Sequence, residues 1–126
     1  MTNMRILILE DNLFWSSRLR LSVVALGHEP VVLERMPPAW PDAELAIVNL
    51  GSVELAPPLV VPALRERGIR VIGHAGHKEG ALLDLGRAAG CHLIVSNGTL
   101  THRLEQVIQQ ALLLDMLGES PPLVLE

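Results

Sequence analysis

Apolar residues along this chain follow two rhythms that alternate for most of its length. "MRILILE" (residues 4–10) is a continuous aliphatic run, short enough for a strand covered on both faces. From Leu13 to about Leu26 the period is helical. Leu19, Val23 and Leu26 share a stripe, Asn12 or Asp11 caps the start and Gly27 stops the end. Pro30–Glu34 reads as a short strand, after which "RMPPAWPD" places three prolines in eight residues and excludes an ordinary helix. Leu45–Val48 is the next strand. "GSVELAPPLVVPALRERG" predicts a loop and then a short helix, starting between Pro58 and Pro62 and ending at Gly68. Ile69–His74 follows as a strand, Lys78–Ala89 as a helix closed by Gly90, and His92–Ser96 as a strand. Leu100–Leu117 predicts one long helix with Leu104, Val107, Ile108, Ala111 and Leu112 inward. "GESPPLVLE" is too rich in proline to extend it.

Buried strands alternating with helices imply a parallel sheet wrapped on both faces. Five such strands commonly take the order 2-1-3-4-5, with ligands beyond their carboxyl ends. That order gathers Glu10 and Asp11 after the first strand, Asn49 after the third and His74–Ala75 after the fourth. Ser96 and Asn97 lie one strand farther out. A neutral amide thus ends the strand beside two acids, and the reason is the main question the sequence raises.

Composition narrows the classes. At 126 residues the chain is one domain, and the three aromatics, Phe14, Trp15 and Trp40, leave the core to aliphatic side chains. The single Cys91 excludes an internal disulfide and a thiolate metal cluster. No apolar run is long enough to span a bilayer and no signal pattern opens the chain, so a soluble, cytoplasmic protein is expected, with no membrane partner. Net charge is −4 with both signs interspersed, which disfavours nucleic acid as a partner.

Over residues 4 to 117 the chain resembles a bacterial response-regulator receiver domain. The resemblance is carried by "ILILEDN", "ALGHEPVVLE", "AELAIVNLG", "RGIRVIGHAGHKEG" and "RAAGCHLIV", in that order and spacing. It implies a flavodoxin-like, CheY-like five-stranded parallel sheet of order 2-1-3-4-5, here with helix 2 missing or degenerate. Residues 1–118 would form the receiver-like domain and 119–126 a C-terminal tail. Such domains accept a phosphoryl group on an aspartate, using Mg²⁺ held by acids after the first strand. Carried over by position, Glu10 and Asp11 match the acids and Asn49 falls on the phosphoacceptor. The switch positions fall on Ala75, where the family has a hydroxyl, and on Ser96 (or Asn97 after a one-residue slip), where it has a lysine. An amide is no nucleophile, and no lysine remains to meet phosphoryl oxygens. The resemblance therefore implies a pseudo-receiver: a module of two-component, phosphorelay-type signalling that works through protein–protein contact, without aspartyl phosphorylation and without enzymatic activity.

The alternative is a small metal- or ligand-binding protein, a hydrolase among the options, using the acid/His crevice. Glu10, Asp11, His74 and His77 are its candidate ligands, for Mg²⁺ or Zn²⁺; otherwise no cofactor is expected. Cys91 and His92 open the fifth strand at the opposite end of the sheet and cannot join them. Glycines 73, 76 and 80 read as turn residues, and Ser52 follows the third strand near His74 without a nucleophile's partners. Of Phe14 and Trp15, one is expected in the core and the other exposed. The partner expected is an unidentified protein, together with a homodimer through the last helix. Trp15, Leu113, Leu114 and Leu117 are the candidate interface residues, widened by Met116 and the apolar tail.

Overall fold

The computed structural model describes residues 3–116 and 123–125. Its elements run β1 (Arg5–Leu9), α1 (Leu13–Ala25), β2 (Glu29–Leu33), β3 (Leu45–Asn49), α2 (Pro57–Glu66) and β4 (Arg70–Ala75). They continue with α3 (Gly80–Ala89), β5 (Leu93–Ser96), α4 (Asn97–His102), α5 (Leu104–Met116) and β6 (Leu123–Leu125). The strands pair in parallel in the order β2-β1-β3-β4-β5-β6, so the expected 2-1-3-4-5 order holds and a sixth strand extends it. β6 comes from the segment read as a proline-rich tail; Leu123–Leu125 pair with Leu93–Val95.

Strand alternation sorts the core into two layers. Ile6, Ile8, Leu45, Ile47, Ile72, Leu93 and Val95 face α1, α4 and α5, meeting Leu19, Val23, Leu100, Leu104, Val107 and Ile108. Leu7, Leu9, Ala46, Val48, Val71 and Ile94 face α2 and α3. No helix joins β2 to β3, as the three prolines require; Trp40 and Ala43 pack against that second layer instead.

Helix ends follow local chemistry. The Asn12 side chain accepts the Trp15 N–H at 3.2 Å, and Gly27 turns left-handed (φ 87°) just after α1. α2 begins at Pro57, one residue before the expected range, because proline's fixed φ suits the first helical position. The long helix expected over 100–117 is instead two, broken at Arg103, and the first begins at Asn97 under a Ser96 cap. The apolar period hides the break: Leu100 and Leu104, four apart, are buried on the same side of it. Leu112, expected inward, is 37 % exposed. Gly73 is not a turn residue but lies within β4, where a Cβ would stand 2.8 Å from the Cys91 Sγ. That close approach is what excludes a side chain. No helix among the described residues is long and apolar enough to cross a membrane.

Candidate functional site

The inward register that buries Ile6 and Ile8 places Glu10 next on the same face. Likewise Asn49 follows Leu45 and Ile47, and His74 follows Ile72. Three polar side chains therefore arrive, one per strand, on the face that α1 and α5 cover. Glu10 is 1 % exposed and His74 4 %.

Asn49 answers the question of the neutral amide. Its Nδ2 donates to Glu10 Oε2 at 2.8 Å, while its Oδ1 accepts the Gly51 N–H at 2.9 Å. An aspartate here would have no donor for Glu10 and would face a second buried carboxylate with no cation between them. The Asn12 N–H also approaches Glu10 Oε2, at 3.3 Å.

On the other side, His74 Nδ1 lies 2.7 Å from Asn97 Oδ1. Because that partner is an oxygen, Nδ1 carries the proton, and Nε2 of the neutral ring is an acceptor. Nε2 points at Glu10 Oε1, 3.8 Å away, and neither atom has a hydrogen-bond partner among the described residues. Acceptor faces acceptor. Burial holds the His74 pKa below its ordinary value, opposed by the Asn97 bond and the Glu10 charge. The result is a row of side chains, Asn97–His74–Glu10–Asn49, buried at its centre and half-buried at its ends, crossing from the end of β5 to the loop after β3.

The remaining sequence candidates are dispersed. Asp11 is exposed at the rim and accepts the Ser52 hydroxyl at 2.8 Å. Ser52 thus serves Asp11 and, as acceptor, the Leu55 N–H at 3.3 Å, rather than His74. Ala75 is buried and pairs in register with Ser96, whose hydroxyl caps α4 by accepting the Thr99 N–H. Asn97, the slipped position, is the one that reaches the crevice chain. His77 is exposed on the loop after β4. Among the described residues, no three of His, Cys, Asp and Glu are grouped to hold a metal ion.

Mg²⁺ requires converging oxygens in near-octahedral geometry. Glu10 Oε2 is occupied by an amide nitrogen, Asp11 Oδ2 by a hydroxyl, and Asn49 turns its nitrogen to Glu10, so the donor set does not fit that ion. Cys91 is buried and its thiol is pushed up to about 12, chiefly by desolvation, which leaves it unreactive.

Phe14 and Trp15 lie in the first turn of α1, and neither is a core residue. Phe14 is 63 % exposed and Trp15 half-buried. Their rings meet edge-on at 5.5 Å, and the Arg18 guanidinium lies 5.6 and 5.5 Å from their centroids. At the last helix Leu113 is exposed (47 %) and Leu114 packs partly on the core; Leu117 lies outside the described residues.

Comparison with solved structures settles the architecture. NtrX from Brucella abortus superposes with a TM-score of 0.76 at 17 % identity, over 92 % of this chain and 28 % of that one. The fold is that of a receiver domain. The chemotaxis response regulator CheY4 of Vibrio cholerae matches at 0.72 and 12 % identity, covering 87 % of this chain and 99 % of CheY4. The signal receiver domain of an HD domain-containing protein from Pseudomonas fluorescens Pf-5 gives 0.73 and 15 %, covering 89 % of each. The chain thus spans little more than a quarter of NtrX but nearly all of CheY4. No family model matches the chain, and no curated protein matches it. In this receiver fold, the carboxyl edge of the sheet carries a row of amide, imidazole, carboxylate and amide with a buried centre.

Proposed function

We propose that this chain is a receiver-like signalling module that acts by protein contact and takes no phosphoryl group on aspartate. Support comes first from Asn49: the residue ending β3 is an amide whose nitrogen is committed to Glu10. An amide neither attacks phosphorus nor offers Mg²⁺ a charged oxygen. Ala75 is buried in the opposite layer, and His74 and Asn97, which meet on the crevice face beside Asn49, supply neither the hydroxyl nor the ammonium that would report and neutralise a phosphoryl group. The module is read as non-enzymatic and cytoplasmic, its output residing in the surface it presents. The exposed Leu112 and Leu113 favour a homodimer through α5, on which a strict monomer at high concentration in light scattering would count decisively.

The fold neighbours include a beryllofluoride-activated receiver domain, that of NtrC4, which names the direct test. In a Trp40→Phe background, Trp15 reports on the crevice during titration with Mg²⁺ and beryllium fluoride. The expected result is no saturable response. Saturation, or a labile phosphate found on Glu10 or Asp11 after incubation with acetyl phosphate, would overturn the proposal.

A further inference from the structure

A cleft opens at the amino edge of the sheet, where the last residues of α1 meet α5. It holds about 430 Å³, within the ~300–1,000 Å³ range of small-molecule sites. Met4, Leu26, Ile108 and Leu112 give it apolar walls, and Ala25 brings only a methyl group to it. The polar groups at its rim have capacity to spare. Glu105 is exposed and forms no ion pair or side-chain hydrogen bond among the described residues. α1 ends here with no basic residue in its last turn, and the Ala25 and Leu26 carbonyls accept no main-chain hydrogen bond among the described residues. The negative end of the helix dipole is therefore left without a counter-charge. His28 adds none: its Nδ1 accepts the Met4 N–H at 3.1 Å, so the ring keeps its one proton on Nε2.

Charge decides what fits. A second cleft adjoins the first through Met4 and His28, and it sets Glu29, Asp42 and Glu44 against Arg5 alone. Arg5 is already engaged, pairing with Glu29 and donating to the Asp42 carbonyl at 3.3 Å. Carboxylates thus outnumber bases along this edge, and the potential over the apolar cleft favours a cation and repels an anion. We infer that the cleft between α1 and α5 binds a small organic cation, its ammonium group set by Glu105 and the carbonyl end of α1, its apolar body against Met4, Leu26 and Ile108. Such a ligand touches two helices at once and gives a module of this fold an input that needs no phosphoryl chemistry.

The inference stands on the cleft and its charge, beyond the reading of the module as one that takes no phosphoryl group. The probe is 4-phenylbutylamine, set beside 4-phenylbutanol and 4-phenylbutanoate, which keep the apolar body and change the charge. Binding is followed by amide chemical shifts in the unmodified chain, at a concentration where light scattering shows a monomer, since a dimer through α5 would cover Leu112. The amine is expected to saturate near about 1 mM, with the largest shifts at Leu26, His28 and Ile108. It should bind about fivefold more tightly than the alcohol at low salt, the carboxylate weakest, with the differences shrinking at high salt. Glu105→Gln, an exposed change, removes the advantage of the amine over the alcohol. Ala25→Phe, also at an exposed position, fills the cleft and excludes all three while thermal unfolding stays that of the parent. Equal binding of amine and alcohol, a preference for the carboxylate, or an amine response that survives Ala25→Phe overturns the inference. So does the absence of saturation by about 10 mM. Beryllium fluoride binding would remove the phosphorylation-free reading and leave the amine result standing.

Discussion

The two ends of the sheet use histidine in opposite ways. At the amino edge, His28 and His92 precede β2 and β5, and each turns Nδ1 to a main-chain donor: Met4 N–H at 3.1 Å and Val71 N–H at 3.0 Å. These bonds complete backbone ladders, so the polar groups there are structural. At the carboxyl edge, His74 bonds only to a side chain, and its second nitrogen faces an unpaired carboxylate oxygen. Buried polar groups left without partners cost stability, and such costs concentrate where a fold carries function rather than shape. The contrast sets the carboxyl edge apart as the place where polar side chains meet one another rather than the main chain.

The sharpest way to break the comparison is Asn49→Asp. It replaces the donor 2.8 Å from Glu10 with a second carboxylate. A loss of about 3 kcal/mol in urea unfolding at neutral pH is expected, recovered in acid as one of the pair protonates. A neutral outcome would mean that the crevice already admits a cation.

Next in size is the pH dependence set by His74. Its folded pKa lies below the unfolded value of 6.5, so the unfolded chain binds more protons. Stability is then fully present above about pH 6.5 and declines as pH falls below it. The slope from this group has a ceiling of about 1.4 kcal/mol per pH unit. Denaturation curves of the parent and of His74→Asn should differ in that window and converge in slope above it.

At the amino edge, His92→Ala leaves the buried Val71 N–H without its acceptor, and a loss of about 1–2 kcal/mol is expected. Calorimetry that shows no change would remove the structural half of the comparison.

The smallest effect has the opposite sign. Glu10→Gln keeps an oxygen for the Asn49 amide and turns an NH₂ toward His74 Nε2, satisfying the two atoms that now lack partners. A gain of about 1 kcal/mol is expected in chemical denaturation. A loss would show that the carboxylate is required for folding and is not a remnant.

Much of this was legible beforehand. Strand order, the absence of a helix between β2 and β3, and the helix stops at Gly27, Gly68 and Gly90 all followed from period and punctuation. So did the convergence of Glu10, Asn49 and His74, because alternation along a strand fixes facing. The break at Arg103 was not legible, since Leu100 and Leu104 keep the same phase on both sides. Nor was the packing role of Gly73, which depends on Cys91, eighteen positions away in the chain. The choice between Ser96 and Asn97 turned on where β5 ends and α4 begins, the kind of boundary that sequence patterns locate least well.

By itself the sequence determined which residues could meet and that an amide ends the third strand beside two acids, because those depend on side-chain type and on periods of two and 3.6. Tertiary structure alone decided what the amide does there: its nitrogen holds Glu10, and Glu10 is left facing His74 with no proton assigned between them. Hydrogen bonding depends on distances of a few tenths of an ångström between groups far apart in the chain, and no local pattern encodes those.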